Sequence, residues 1–408
     1  MRIENVARAG LVVSLLSGCS SAGSAQSAPD ASVSDAGDAS SPLDAPSGDH
    51  ASPEGAPGDA SNAGDAQGST DAGPPDTGPP AVRRIGRFDL SDPAQPSAEW
   101  SGSAMEAMFT GTSVAATLGG ASNYFAVLVD GTEEPVTVTD GGSSYALAGG
   151  LAPGTHHVLV FRRDEAFDQP SALVGFTFGD AGALLPPPAT PARRIEVIGD
   201  SITAGYGDEC TNASQSFSAA TENEYLAYGS LTGRAMGADV HVIAWSGKGL
   251  YQNLDGTTTE TMPILWQRTL PTDATSTWDP SSWIPDAVVV NLGTNDYGAP
   301  GADPTTSFTN AYVTFVTQLR AVYPSAHFFL CVGPMLGGTQ YTEAQGAIQS
   351  VIATRASAGD NALTSVSFPT QDCKSDGSGC GCDYHPSPAT HAAMAQVLEA
   401  AMKSALGW

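Results

Sequence analysis

From residue 195 onward, short apolar runs alternate with helix-patterned stretches, and this alternation limits the possible folds more than any other feature of the chain. The runs cover residues 195–198, 240–244, 287–290, 327–332 and 364–368. Continuous apolar runs of this length suit strands buried on both faces, as in a parallel sheet. Between them, Asp303-Pro304 supplies an N-cap and a proline for a first helical turn. Phe308, Tyr312, Phe315, Leu319 and Val322 follow at helical spacing until Pro324 ends the segment. Ser387-Pro388 opens a last helix with Met394, Leu398, Ala401 and Ala405 on one side. Repeated β-α units predict a doubly wound α/β domain over residues 193–408. Chemistry in such a sheet belongs at the carboxyl ends of the strands.

The preceding segment, residues 83–186, is patterned differently. Runs of β-formers at 107–109, 113–116, 124–129 and 157–161 are punctuated by Asp130-Gly131 and Asp140-Gly141-Gly142. Short strands at this spacing predict an all-β sandwich, and Pro186-Pro187-Pro188 marks a linker after it. Residues 20–82 are dominated by Ala, Ser, Gly, Pro and Asp, with ten acidic residues and no Lys or Arg. With almost nothing large and apolar to bury, this stretch is expected to be a disordered, extended tether.

Residues 1–19 are expected to be a targeting segment. Arg2 and Arg8 give a basic start, and residues 10–16 form an apolar run too short to span a bilayer. Leu16-Ser17-Gly18-Cys19 follows, and this string resembles the lipobox of bacterial lipoproteins. That resemblance implies export, acylation of Cys19 and membrane anchoring through the lipid, at the cell surface or in the periplasm. An ordinary secretory signal with an incidental Cys is the alternative. The net charge of −27 excludes nucleic-acid binding through the overall field. If Cys19 is lipidated, five cysteines remain. Cys331 lies in the apolar run 328–332 and is expected to be a buried thiol. Cys210, Cys373, Cys380 and Cys382 can oxidise in an exported protein, in a pairing that spacing does not reveal. A metal site at Cys373, Cys380 and Cys382 is disfavoured, because no paired C-x-x-C is present.

Three motifs directly follow predicted strands. Gly199-Asp200-Ser201 comes after 195–198, so Ser201 can be presented at a helix N-terminus, where backbone N–H groups favour developing negative charge. Trp245-Ser246-Gly247-Lys248-Gly249 comes after 240–244, and Gly247 lets a backbone N–H approach an oxyanion. Asn291-Leu292-Gly293-Thr294-Asn295-Asp296 comes after 287–290, and Asn295 can donate an amide hydrogen to the same oxyanion. Near the C-terminus, Asp383-Tyr384-His385-Pro386 offers the imidazole that a nucleophilic serine requires.

Ser201, Gly247, Asn295 and His385, in this order, resemble the four blocks of the SGNH, or GDSL-type, hydrolase superfamily. Three strings look closer still to the acetyl esterases of carbohydrate esterase family 2: Ser246-Gly247-Lys248-Gly249, Val332-Gly333-Pro334-Met335-Leu336 and Asp383-Tyr384-His385-Pro386. In the upstream segment, residues 84–87, 100–103 and 109–113 are similar to that family's N-terminal β-jelly roll. The resemblance implies an SGNH-type doubly wound sheet behind a jelly roll. It implies deacetylation of xylan, glucomannan or related glycans, with Ser201 as nucleophile, His385 as base, and Ser201, Gly247 and Asn295 as the oxyanion hole. No metal or organic cofactor is implied.

Many superfamily members place an Asp three residues before the His, but that position here is Cys382. Asp383, two before, is expected to orient the ring, with a backbone carbonyl as the alternative. Trp245, Tyr206 and Tyr384 flank these residues and can stack on sugar rings or pack inside. Asp200 is read as a brace for the serine turn, His391 as a helix-surface residue, and Glu222 and Glu224 as helix caps. A lipase or thioesterase of the same superfamily and a non-catalytic glycan-binding lipoprotein are the competing functions. A monomer is assumed.

Overall fold

A computed structural model describes residues 81–408 except 121–123, 135–142, 166–169, 302, 375 and 378. The targeting segment, Cys19 and all of the tether up to residue 80 therefore lie outside the described residues.

Among the described residues, nine strands make two antiparallel sheets. They are β1 (Arg83–Ile85), β2 (Ser97–Ala98), β3 (Ala104–Thr110), β4 (Ser113–Gly119), β5 (Phe125–Val129), β6 (Thr132–Glu134), β7 (Ser144–Gly149), β8 (Thr155–Arg162) and β9 (Ser171–Phe178). One sheet runs β1-β3-β8-β5-β6 and the other β2-β9-β4-β7. Along β4 the burial alternates residue by residue, as one buried face requires. Met105, Phe109, Val127, Val158 and Val160 meet Val114, Ala116, Leu118 and Leu173 between the sheets. β3 is different, because its residues from Ala104 to Phe109 are buried on both faces. Its outer face is covered by the second half of the chain, where Ala104, Ala126 and Phe161 pack with Tyr225.

The second half is the expected parallel sheet: β10 (Arg193–Gly199), β11 (Ala238–Ala244), β12 (Ala287–Asn291), β13 (His327–Val332) and β14 (Leu363–Ser367). Their order is β11-β10-β12-β13-β14. The chain steps to one side of β10 and then returns to the other, so a topological switch point lies between β10 and β12. The helices are α1 (Ser201–Ala204), α2 (Tyr228–Met236), α3 (Met262–Leu265), α4 (Thr294–Gly298), α5 (Thr305–Val322), α6 (Gly338–Ser357) and α7 (Pro388–Leu406). Strand residues point alternately to the two faces. Val288, Val290 and Leu330 meet Phe308, Phe315 and Leu319 of α5 and Ile348 of α6. Val289, Phe329 and Cys331 meet Tyr228 of α2 and Met394 and Leu398 of α7.

Two helix faces differ from expectation. Val322 is at the surface, and Tyr323 just beyond it fills the core instead. Ala405 is exposed while Met402 is buried, because α7 drifts as it crosses the sheet. α5 begins at Thr305, one residue later than expected, so Pro304 takes the cap position and Asp303 before it accepts the Thr305 N–H at 2.8 Å.

A buried ion pair joins the two halves. Arg87, just past β1, and Glu196 of β10 are both fully buried, with Nη2 and Oε1 2.9 Å apart. Arg87 also donates to the carbonyls of Trp266 and Arg268, and the Trp266 indole donates to Glu196 at 3.0 Å. Removing one partner from such a pair strands a buried charge and costs about 3–5 kcal/mol. Arg87→Met should therefore lower the unfolding free energy of the full chain by that amount in urea titration. Adding Glu196→Leu should recover most of the loss.

Candidate active site

The ends of three strands are level, because Gly199 of β10 pairs with both Ala244 of β11 and Asn291 of β12. All three sequence motifs leave the sheet at this level, beside the switch point.

Ser201 is the first residue of α1. Asp200 caps the turn by accepting the Ile202 N–H at 3.0 Å, which is the bracing role read from sequence. A side chain at Gly199 would put its Cβ 1.9 Å from Thr203 Oγ1, so the turn closes only around glycine. Gly205, at φ +77°, ends it. As the first residue of α1, Ser201 has an N–H that its own helix does not use.

His385 Nε2 lies 2.8 Å from Ser201 Oγ. His385 Nδ1 lies 3.2 Å from the carbonyl oxygen of Cys382. A carbonyl only accepts, so Nδ1 carries the hydrogen and Nε2 presents its lone pair to the serine hydroxyl. The expectation that Asp383 orients the ring is corrected here. Asp383 and Tyr384 both take left-handed conformations, at φ +49° and +63°. This turn swings the Asp383 carboxylate to the Tyr206 hydroxyl, which donates to it at 3.1 Å. The backbone carbonyl is the partner that the imidazole meets. Burial pushes the pKa of His385 down to about 4, against the opposing pull of the Cys382 carbonyl and the Asp383 charge.

The other two motifs converge on the same corner. Gly247 sits at φ +76°, and a Cβ there would meet nothing within 4 Å, so this backbone borders open space. Its carbonyl accepts from Leu254 N–H at 2.9 Å, and its N–H has no acceptor among the described residues. Asn295 Nδ2 gives one hydrogen to the Lys248 carbonyl at 2.8 Å, which leaves the other available. Asp296, quoted in its motif without a role, ties the second loop to the third. Its carboxylate accepts the N–H groups of Leu250, Tyr251 and Gln252 at 2.9, 2.6 and 3.0 Å. A carboxylate directly after Asn295 was the available signal.

Of the three aromatic candidates, Tyr206 stacks on Phe217 at 3.8 Å between ring centroids and lies 4.3 Å from the His385 ring. Tyr384 is 59% exposed beside His385. Trp245 is partly buried against the core, with Lys248 Nζ 5.8 Å from its ring. Disulfides join Cys210 to Cys382 and Cys373 to Cys380, and Cys331 is the buried free thiol. The three C-terminal cysteines are thus engaged as disulfides, and among the described residues no group of three or more His, Cys, Asp or Glu is arranged to hold a metal.

Three bland readings are overturned. His391 is fully buried and accepts the Tyr228 N–H at 3.2 Å, so it caps α2 from inside. Glu224 is fully buried and accepts the Ser230 hydroxyl at 2.8 Å. Glu222 is fully buried and faces Glu165 of the sandwich half. His391 and Glu222 are covered by segments distant in sequence, which local pattern does not register, whereas Glu224 turns to Ser230 six residues on.

Residues 84–188 match the model of the family described as carbohydrate esterase 2 N-terminal, and residues 197–393 match the GDSL-like lipase/acylhydrolase family. The cellulase/esterase CelE of Acetivibrio thermocellus is 41% identical over 340 residues, which is 83% of this chain. The chain spans only 41% of that relative's length. An acetylxylan esterase/glucomannan deacetylase of Cellvibrio japonicus is 31% identical, with 62% of this chain and 68% of the relative covered. Among solved structures, a family two carbohydrate esterase from Clostridium thermocellum in complex with cellohexaose superposes with a TM-score of 0.76 at 41% identity. That match covers 80% of this chain and all of the other.

Two outcomes follow for Ser201 labelling by a serine-directed phosphonate. Asp383→Asn should label within about threefold of wild type, because the ring is held by a carbonyl, whereas loss of a triad aspartate costs about 10⁴. The wild-type rate should be half-maximal near pH 4 and fall below it, because the base must be neutral to accept the serine proton.

Proposed function

This chain belongs to carbohydrate esterase family 2, and we propose that it removes O-acetyl groups from plant-type polysaccharides such as acetylxylan and acetylglucomannan. The observation that carries this is the 2.8 Å contact between Ser201 Oγ and the unprotonated Nε2 of a His385 whose tautomer is fixed. As imidazole takes the hydroxyl proton, Oγ attacks the acetyl carbonyl. The N–H groups of Ser201 and Gly247 and the side chain of Asn295 receive the oxyanion. His385 then returns the proton to the sugar oxygen as the C–O bond breaks. Water hydrolyses acetyl-Ser201 by the same steps in reverse.

A glycan substrate is supported by relatives named acetylxylan esterase/glucomannan deacetylase and by the cellohexaose complex of a 41%-identical neighbour. Tyr384, exposed beside His385, offers a ring face for a pyranose. The lipobox-like string ending at Cys19 supports export and anchoring to a membrane through lipid, with the acidic tether holding the enzyme off the surface as a monomer. The two disulfides fit an oxidising compartment.

The test is acetate release from acetylated xylan, glucomannan and a long-chain acyl ester. Wild type should release acetate from the glycans and leave the long-chain ester almost untouched. Ser201→Ala should be inactive on all three. Faster turnover of the long-chain ester would sink the glycan assignment in favour of a lipase. A wild-type protein inert to acetylated glycans and phosphonate would favour the glycan-binding alternative.

A further inference from the structure

We propose that Glu165, carried by the β-sandwich half, is a positioning residue for ester hydrolysis, holding Ser246 so that the neighbouring Gly247 N–H is aimed at the oxyanion. This rests on the hydrolase reading above and adds a group from the other half of the chain to its machinery.

Glu165 is buried, three residues past the end of β8, and its carboxylate reaches into the α/β half. Oε2 accepts the Ser246 N–H at 2.6 Å, and Oε1 accepts the Ser246 hydroxyl. One carboxylate thus takes both donors of a single residue. Ser246 immediately precedes Gly247, so fixing its amide and side chain fixes the peptide that presents the Gly247 N–H. The loop is held elsewhere by the Leu254 bond to the Gly247 carbonyl and the Asn295 bond to the Lys248 carbonyl. The segment between Ala244 and Gly247 is also tied by the Trp245 N–H to the Gly199 carbonyl at 3.3 Å, and among the described residues Glu165 is its hydrogen-bond anchor on the sandwich side.

The carboxylate is itself rigid. The fully buried Arg162 guanidinium donates to the Asp164 carbonyl at 3.0 Å and to the Glu165 carbonyl at 3.3 Å. The Glu165 N–H donates to Glu222 Oε2 at 3.2 Å. Burial, followed by the Glu165 charge, pushes Glu222 well above the ordinary carboxyl range, and burial raises Glu165 to about 7. The two hydrogen bonds from Ser246 oppose that burial and favour the ionised form of Glu165. Burying a carboxylate is costly unless its bonds are made, and here both side-chain bonds go to the residue beside the oxyanion loop.

Steady-state kinetics of the full chain on a small acetyl ester, with thermal unfolding as a check on folding, test the assignment. Glu165→Ala should lower kcat on the order of 10²-fold at unchanged KM, as for loss of one oxyanion donor. Glu165→Gln should stay within about fivefold, because its carbonyl accepts the Ser246 amide while its NH₂ donates to the hydroxyl. If Glu165→Ala does not fold, Glu165→Asp withdraws the carboxylate by one methylene and should lower kcat about tenfold, again with KM unchanged. A folded Ala or Asp variant with wild-type kcat, a loss confined to KM, or a Gln variant as impaired as Ala would overturn the assignment. An inactive wild type would instead remove the hydrolase reading on which it stands.

Discussion

The hydrogen bond between Ser201 and His385 joins residues 184 positions apart, and its imidazole has no carboxylate behind it. A carbonyl fixes the tautomer as well as an aspartate does, but it offers less charge to an imidazolium. Rigidity is the compensation the structure provides. Cys382, which supplies that carbonyl, is covalently tied to Cys210 across a separation of 172 residues. Its N–H donates to Gly207, and the Asp383 N–H donates to Ala213. The left-handed residues Asp383 and Tyr384 cost about 1–3 kcal/mol each. A crosslink closing so long a loop contributes about 5 kcal/mol in the chain-entropy account. The strained turn that presents His385 is therefore within reach of the staple beside it.

The sandwich is joined to the α/β half by both apolar and buried polar groups. Ala104, Ala126 and Phe161 pack with Tyr225, and Trp100 enters the core of the α/β half beside Ile198, Ile243 and Trp266. The polar contacts are Arg87 on Glu196, Glu165 on Ser246, and Glu99 accepting the Thr272 N–H at 3.0 Å. Each leaves an unpaired buried group if the halves slide by even one residue, so the seam specifies one docking geometry more than it adds stability. The Ser246–Gly247 loop, gripped across such a seam, inherits that geometry.

Much of this was legible in the sequence. Ser201, Gly247 and Asn295 each follow a continuous apolar run, and the carboxyl end of a buried strand is a position that pattern defines well. His385 stands just before a capped helix. What failed depends on contacts between distant segments. His391 looks like a surface residue and Glu222 like a helix cap because nothing local shows that Tyr228 and Glu165 will meet them, while Glu224, also read as a cap, turns to the Ser230 hydroxyl six residues on. Asp383 was misassigned for a different reason. Spacing counts residues but does not record that two successive non-glycine residues turn left-handed and redirect the carboxylate to Tyr206. Glu165 was invisible because its partner lies 81 residues further on, in the other half of the chain.

The strong acidity of the chain raises a difficulty for an oxyanion mechanism, because Asp200, Asp296 and Glu165 all lie around the three loops that hold it. Three full charges there would oppose the developing negative oxygen. The structure reduces their effect in distinct ways. Asp296 is surrounded by three backbone N–H groups, whose dipoles screen it from the site. Asp200 is fully buried, and burial together with Asp296 and Glu165 raises it to about 7, so only part of it is ionised at that pH. Glu165 faces Glu222, which burial and the Glu165 charge hold well above the ordinary carboxyl range, and is covered by both donors of Ser246. The carboxylates that shape the loops are thus screened, partly neutralised or capped, and the Gly247 N–H and the second Asn295 amide hydrogen remain without an acceptor among the described residues.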